Sequence, residues 1–158
     1  MRNCSNRTET DEFFMRKALE YAGLAAEAGE VPVGAVAVLD GKIIAGAGNR
    51  VEHSKCPVSH AEINVVTGAA EAIGDWRLDG VTIYVTKEPC AMCAGAMVNA
   101  RVSRVVYGMA DPRSGCAGSA MDVTGFPGML HQVSVSGGVL EEECRLLIQN
   151  FFRKVRSK

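Results

Sequence analysis

The chain has 158 residues, of which 47% are hydrophobic and 22% charged, and a formal net charge of −1. That length suits one domain, expected over 1–158 and large enough to bury a core, and the composition excludes disordered and fibrous classes. The near-zero charge excludes a global attraction to nucleic acid, so any such binding needs a local patch. No run approaches the roughly eighteen apolar residues of a membrane helix.

The start, Met1 to Arg7 followed by Glu9, Asp11 and Glu12, is polar. It has no apolar stretch of the secretory kind, so a cytoplasmic location is expected and no membrane partner. Residues 1–10 read as a flexible tail. A helix is expected from about Asp11 to Ala28, because Phe14, Ala18, Tyr21, Ala22 and Ala25 recur at helical spacing and Gly29 is a good stop. Val33 to Leu39 and Lys42 to Ala47 read as two strands joined by a turn at Asp40-Gly41. Arg50 to Ser59 reads as loop. A helix follows from near His60 to Ile73, a strand over Val81 to Thr86, a helix opened by Pro89 and ending near Asn99, and a strand over Val102 to Tyr107. Ala110 to Met129 is rich in Gly and Pro and is expected to be irregular. Gln132 to Ser136 alternates like a strand. Glu141 to about Val155 reads as a last amphipathic helix, acidic at its start and basic at its end, as the helix dipole favours. This alternation predicts a layered α/β domain, its sheet mixed because of the hairpin.

Two segments carry chemistry: His60-Ala61-Glu62 and Pro89-Cys90-Ala91-Met92-Cys93. Cys90 and Cys93 are three apart, so on a helix they share a face and their sulfurs can reach one ion. The positive end of a helix dipole stabilises thiolates there. With a nitrogen from His60 they would make a three-ligand zinc site. That leaves the fourth tetrahedral position for water, the catalytic arrangement. Zinc acidifies such a water towards neutrality, and Glu62 can lie beside it as the group that moves protons. No organic cofactor is called for.

Each piece has a plainer reading. Ser59-His60-Ala61-Glu62 fits a capping box, in which Glu62 caps its helix. Cys90 and Cys93 could be a redox pair. Cys56 could close the zinc site as a fourth ligand. His53 and His131 read as surface residues, and Cys4, Cys116 and Cys144 as packing or idle thiols. Together, however, His-x-Glu and Pro-Cys-x-x-Cys at successive helix starts form the signature of zinc nucleobase deaminases.

On those residues the chain resembles the cytidine-deaminase-like superfamily, and more closely the bacterial tRNA-specific adenosine deaminases. The closer likeness runs from about Asp11 to Arg153. It includes Glu30 to Val36, Asn49-Arg50, Glu88 to Met97, Gly118 to Val123 and Phe151-Phe152-Arg153. The resemblance implies a three-layer α/β fold of the cytidine-deaminase-like kind, with a central five-stranded mixed sheet and helices on both faces. It also implies a homodimer, one zinc ion per subunit held by His60, Cys90 and Cys93, and catalysis by Glu62. The implied reaction converts wobble adenosine to inosine in the tRNA anticodon loop by hydrolysis at C6. By the same resemblance, Asn49 hydrogen-bonds the base, the Ala61 N–H faces its reacting edge and Val33 packs on its ring. Asp111, Phe152 and Arg153 would touch the anticodon stem-loop. Of the adjacent pair Phe151-Phe152, one is expected in the core and the other exposed. A deaminase of a free base or nucleoside (guanine, cytosine or cytidine) would use the same catalytic residues.

Overall fold

The computed structural model describes residues 4–158, with side chains from residue 7 onward. The chain runs α1 (Cys4–Glu27), β1 (Gly34–Leu39), β2 (Lys42–Gly48), α2 (Val51–Ser54), α3 (Ala61–Ile73), β3 (Thr82–Lys87), α4 (Ala91–Asn99), β4 (Arg104–Met109), β5 (Ser134–Ser136) and α5 (Glu141–Arg156). Two expectations need correction. Residues 4–10, expected as a tail, belong to α1, and Met1, Arg2 and Asn3 lie outside the described residues. Residues 7–10 are exposed, so the apolar periodicity that marks the rest of α1 is missing there, although the residues tolerate a helix. Residues 50–59, expected as loop throughout, contain the single turn α2. The buried Glu30 carboxylate caps it by accepting the N–H groups of Glu52 (2.8 Å) and His53 (3.2 Å).

The five strands form one sheet in the order β2-β1-β3-β4-β5. β1 is antiparallel to β2 and β3, while β3–β4 and β4–β5 are parallel. The mixed sheet expected from the hairpin is therefore present. Asp40 and Gly41 close that hairpin with φ of 51° and 76°, the positive pair that a tight two-residue turn requires.

Strand alternation sorts side chains into two cores. Ala35, Ala37, Ile83, Val85 and Val105 face α3 and α4, with Ala61, Val65, Met97 and Val98. Val36, Val38, Tyr84 and Val106 face α1 and α5, with Phe14, Met15, Ala18 and Cys144. Helices thus cover both faces of the sheet. Burial on both sides explains why β1, β3 and β4 read as nearly continuous apolar runs. Among the described residues no helix is long and apolar enough to cross a membrane.

One polar anchor joins α1 to the sheet. Arg104 donates to both Asp11 carboxylate oxygens, at 2.9 and 2.8 Å, and Tyr84 Oη donates to Oδ1 at 2.9 Å. Arg104 also donates to Ser136 Oγ at 2.9 Å, which ties in β5. Burial opposes ionisation of Asp11, but the bonds from Arg104 and Tyr84 outweigh it and hold the carboxyl below its ordinary value. A depressed carboxyl stabilises the fold above the unfolded-state value near 3.9, and that contribution fades as pH falls through the folded-state value. Asp11→Ala strands the Arg104 charge, so a loss of about 3–5 kcal/mol is expected at pH 7. In chemical denaturation the gap between variant and wild type should narrow as the pH is lowered below about 3.9. Equal stability of the two proteins at pH 7 would contradict this role.

Candidate active site

Two helix starts meet on one face of the sheet. The N-cap of α3 is His60, in extended backbone with φ −72° and ψ 154°, and the N-cap of α4 is Cys90, with φ −74° and ψ 178°. Neither uses its side chain to cap its own helix, so both side chains are free for other work. Cys93 is the third residue of α4 and is fully buried. Pro89 stands one residue before the cap rather than inside the first turn.

His60 Nδ1 lies 3.7 Å from Cys90 Sγ and 3.6 Å from Cys93 Sγ. All three donor atoms fall within 4.8 Å of one another. A tetrahedral zinc ion bonded at about 2.0 Å to nitrogen and 2.3 Å to sulfur would hold those atoms about 3.6 Å apart. The donor set therefore fits zinc in chemistry and in spacing. Among the described residues the group contains these three members and no fourth. Cys56, weighed as a closing ligand, is outside it. All five described cysteines are free thiols. Cys144 packs in the α1–α5 core and Cys116 is buried, while the side chain of Cys4 lies outside the described residues.

Glu62 sits at the second position of α3, 4% exposed, with its carboxyl in hydrogen-bond contact with Cys93. The capping-box reading fails on this geometry. Ser59 lies outside the helix and turns its hydroxyl to Asn64 Oδ1 at 3.2 Å, and Glu62 is one residue too early to reach back. Burial pushes the Glu62 carboxyl above its ordinary value. Between the thiols, the hydrogen bond from Cys93 brings Cys90 down to about 5, with the nearby His60 adding to the effect. That same contact, with burial and the Glu62 charge, pushes Cys93 up. The pair thus holds one proton readily and the second poorly, which suits exchange of protons for a cation.

Above the donors lies a cavity of about 180 Å³, lined by Val31, Val33, Asn49, His60, Ala61, Glu62, Lys87, Glu88 and Cys90. At about 30 Å³ per water molecule it has room for roughly six waters, or one flat ring system. Val33, Asn49, Ala61 and Glu62, singled out from sequence, all meet here. Asn49 is oriented by its Nδ2, which donates to Val31 O at 3.5 Å, and by Oδ1, which accepts the Val51 N–H at 3.4 Å. Ala61 is the first residue of α3, where backbone N–H groups have no acceptor within the helix.

A second groove, of about 670 Å³, shares Val31, Asn49 and His60 with the cavity and is walled by Phe151, Phe152 and Val155 of α5. Of the adjacent pair, Phe152 is exposed as expected, whereas Phe151, expected in the core, is half-buried. Both rings line this groove, edge to face with centroids 5.4 Å apart, and neither belongs to a core cluster. Adjacent helical residues diverge by about 100°, which a wide groove spans. Arg153 lines neither space; it is exposed and donates to Asn150 Oδ1 at 3.4 Å. Asp111 lies beyond the cavity rim. Its carboxylate takes Lys87 Nζ at 3.2 Å and Ser114 Oγ at 2.6 Å, and bonds of this kind hold it well below the usual range against burial. His53 is exposed, and His131 Nε2 donates to Val102 O at 2.7 Å, so neither joins the site.

Sequence reasoning missed the buried acids Glu30 and Glu88, which hold loops at the rim through bonds to residues 22 to 31 positions away. The available signal was position: a carboxylate directly before an apolar run for one, and directly before the Pro-Cys turn for the other. Glu30 stands between Gly29 and Val31-Pro32-Val33, and Glu88 next to Pro89.

If this donor set binds the ion, Cys90→Ala or Cys93→Ala should reduce bound zinc from about one per chain to near zero. Full metal content in either variant, read by elemental analysis after dialysis, would mean that the set is wrong.

The chain matches the MafB19-like deaminase family over residues 9–156. It is 49% identical to a tRNA-specific adenosine deaminase of Bacillus subtilis, over 94% of this chain and 92% of that protein. A solved structure from studies of A-to-I editing by tRNA:A34 deaminases at the wobble position superposes with a TM-score of 0.83 at 44% identity, covering 85% of this chain and 98% of that one. The guanine deaminase of Bacillus subtilis superposes with a TM-score of 0.60 at 39% identity, covering 63% of this chain and 64% of that one. The chain belongs to the family of tRNA-specific adenosine deaminases, within the MafB19-like deaminases.

Proposed function

We propose that this protein hydrolyses the wobble adenosine of a tRNA anticodon loop to inosine, with zinc held by His60 Nδ1, Cys90 Sγ and Cys93 Sγ and protons moved by Glu62. The observation that carries the reading is a buried carboxylate beside a three-donor set, at the floor of a cavity with room for one base. When bound, zinc supplies a water acidified towards neutrality. Everything else falls to the chain. Val33 and Val31 wall the ring of an extruded adenine, and the Asn49 amide meets its polar edge. The Ala61 N–H, unclaimed by the helix, donates to the oxygen that arrives at C6. Glu62, its proton affinity raised by burial, takes a proton from the attacking water and passes it to a ring nitrogen. Glu62 then takes the proton of the new C6 hydroxyl and delivers it to the amine, which leaves as ammonia while the C6–O bond becomes the carbonyl of inosine.

The groove beside the cavity supports an RNA substrate rather than a free base. Phe151 and Phe152 offer ring faces to neighbouring unstacked bases, the usual mode of reading single-stranded RNA loops. Arg153, Lys154 and Arg156 at the end of α5 supply cations for phosphates. This local basic patch answers the lack of net charge. Asp111 would act on the adjacent nucleotide through the rim it stabilises. The reading includes a cytoplasmic location and a homodimer, the latter supported by exposed Ile73 at the end of α3 and Trp76 just beyond it.

The test uses zinc-loaded protein and an anticodon stem-loop with adenosine at the wobble position, beside free adenosine, cytidine and guanine. Inosine should form in the hairpin alone. Turnover of a free compound alone would replace this reading with the nucleobase-deaminase one. Glu62→Ala should keep its zinc and lose about 10²–10⁴-fold in kcat. Activity near that of the wild type would remove Glu62 from the mechanism.

A further inference from the structure

Glu88 is the residue after β3 and two before Cys90. Its side chain is 3% exposed, and among the described residues it has no ion-pair partner. Its two oxygens are instead hydrogen-bonded by one loop. Oε1 accepts the Asp111 N–H at 3.1 Å and the Ser119 hydroxyl, and Oε2 accepts the N–H groups of Ala117 and Ser119, each at 3.1 Å. Main-chain bonds run alongside. The Glu88 N–H donates to Met109 O at 2.9 Å, and the Cys116 N–H donates to Pro89 O at 2.8 Å. Gly115 completes the fit, because a Cβ there would collide with the Glu88 carboxylate.

Both oxygens of the side chain must accept here. A carboxylate does so, whereas a glutamine would turn an NH₂ group towards N–H donors. The loop so held carries Asp111, and Glu88 and Lys87 both line the catalytic cavity. Glu30 treats the opposite rim in the same way, through the N–H groups of Glu52 and His53 next to Asn49.

We infer that Glu88 is a positioning residue. It locks residues 111–119 against the Cys90 turn, so that the rim meeting the RNA beside the target base is formed before substrate arrives. This rests on the wobble-adenosine reading above. Preorganisation of that kind appears mainly in substrate binding, because a loose rim must be ordered each time RNA docks.

Zinc-loaded Glu88→Gln tests it by hydrogen–deuterium exchange over residues 111–119, by metal content, and by kcat and KM on the wobble-adenosine hairpin. Exchange of these amides and the KM should each rise about tenfold, the scale of one buried hydrogen bond lost. Zinc content and kcat should stay near those of the wild type. Ser119→Ala removes one hydroxyl donor to the Glu88 side chain and leaves its acceptor oxygens in place, and should shift exchange and KM the same way by less. It decides the matter if Glu88→Gln does not fold. Unchanged exchange and KM would overturn the inference. So would lost zinc or lower kcat at constant KM, which would assign Glu88 to the metal turn. If the wild type leaves the hairpin unchanged, the substrate reading has failed, and the exchange data still show whether Glu88 holds the loop.

Discussion

The structure depends on a nitrogen and two sulfurs being held about one zinc–ligand bond length from a common point by the starts of two helices. Loops could supply such residues but not fix them. Here His60 and Cys90 sit where extended backbone turns into helix, and α3 and α4 are clamped on the same sheet face by Ala61, Val65, Met97, Val98, Ile83 and Val85. A shift of either helix would need that core to repack, which close packing resists. The same helix starts orient partial positive charge at the site, favouring thiolates and any oxygen anion formed beside them.

The surroundings divide the work between apolar and polar groups. Apolar residues make the platform, and Glu62 is sunk into it far enough that burial raises its proton affinity. At the rim, two buried acids hold loop segments by accepting backbone N–H groups. These bonds spend a carboxylate on loop geometry rather than on an ion pair, and they leave the surface cations of α5 free for a polyanion. The Asp11–Arg104–Tyr84 anchor on the far face keeps α1 and β5 attached without touching the site.

Much of this could be read from the sequence, for a physical reason. Helix and strand periodicity report burial on one face, so α3, α5, the hairpin and the buried strands were legible. The donor set was legible because metal chemistry restricts both residue types and spacing. What escaped were features set by non-local bonds or by exposure. The first turns of α1 are exposed and carry no apolar rhythm. The single turn α2 exists because of Glu30, more than twenty positions upstream. Ser59 and Glu62 match a capping pattern by letter, yet the helix starts one residue later than that pattern needs. Helical geometry leaves Phe152 exposed as expected, but Phe151 is half-buried along a groove broad enough for both rings rather than in the core.

The most direct test of the account is X-ray absorption at the zinc edge of the metal-loaded protein. Two sulfur scatterers at about 2.3 Å and two nitrogen or oxygen scatterers near 2.0 Å are expected, one from His60 and one from solvent. Three or four sulfurs, or a shell unchanged after Cys90 or Cys93 is replaced, would contradict it.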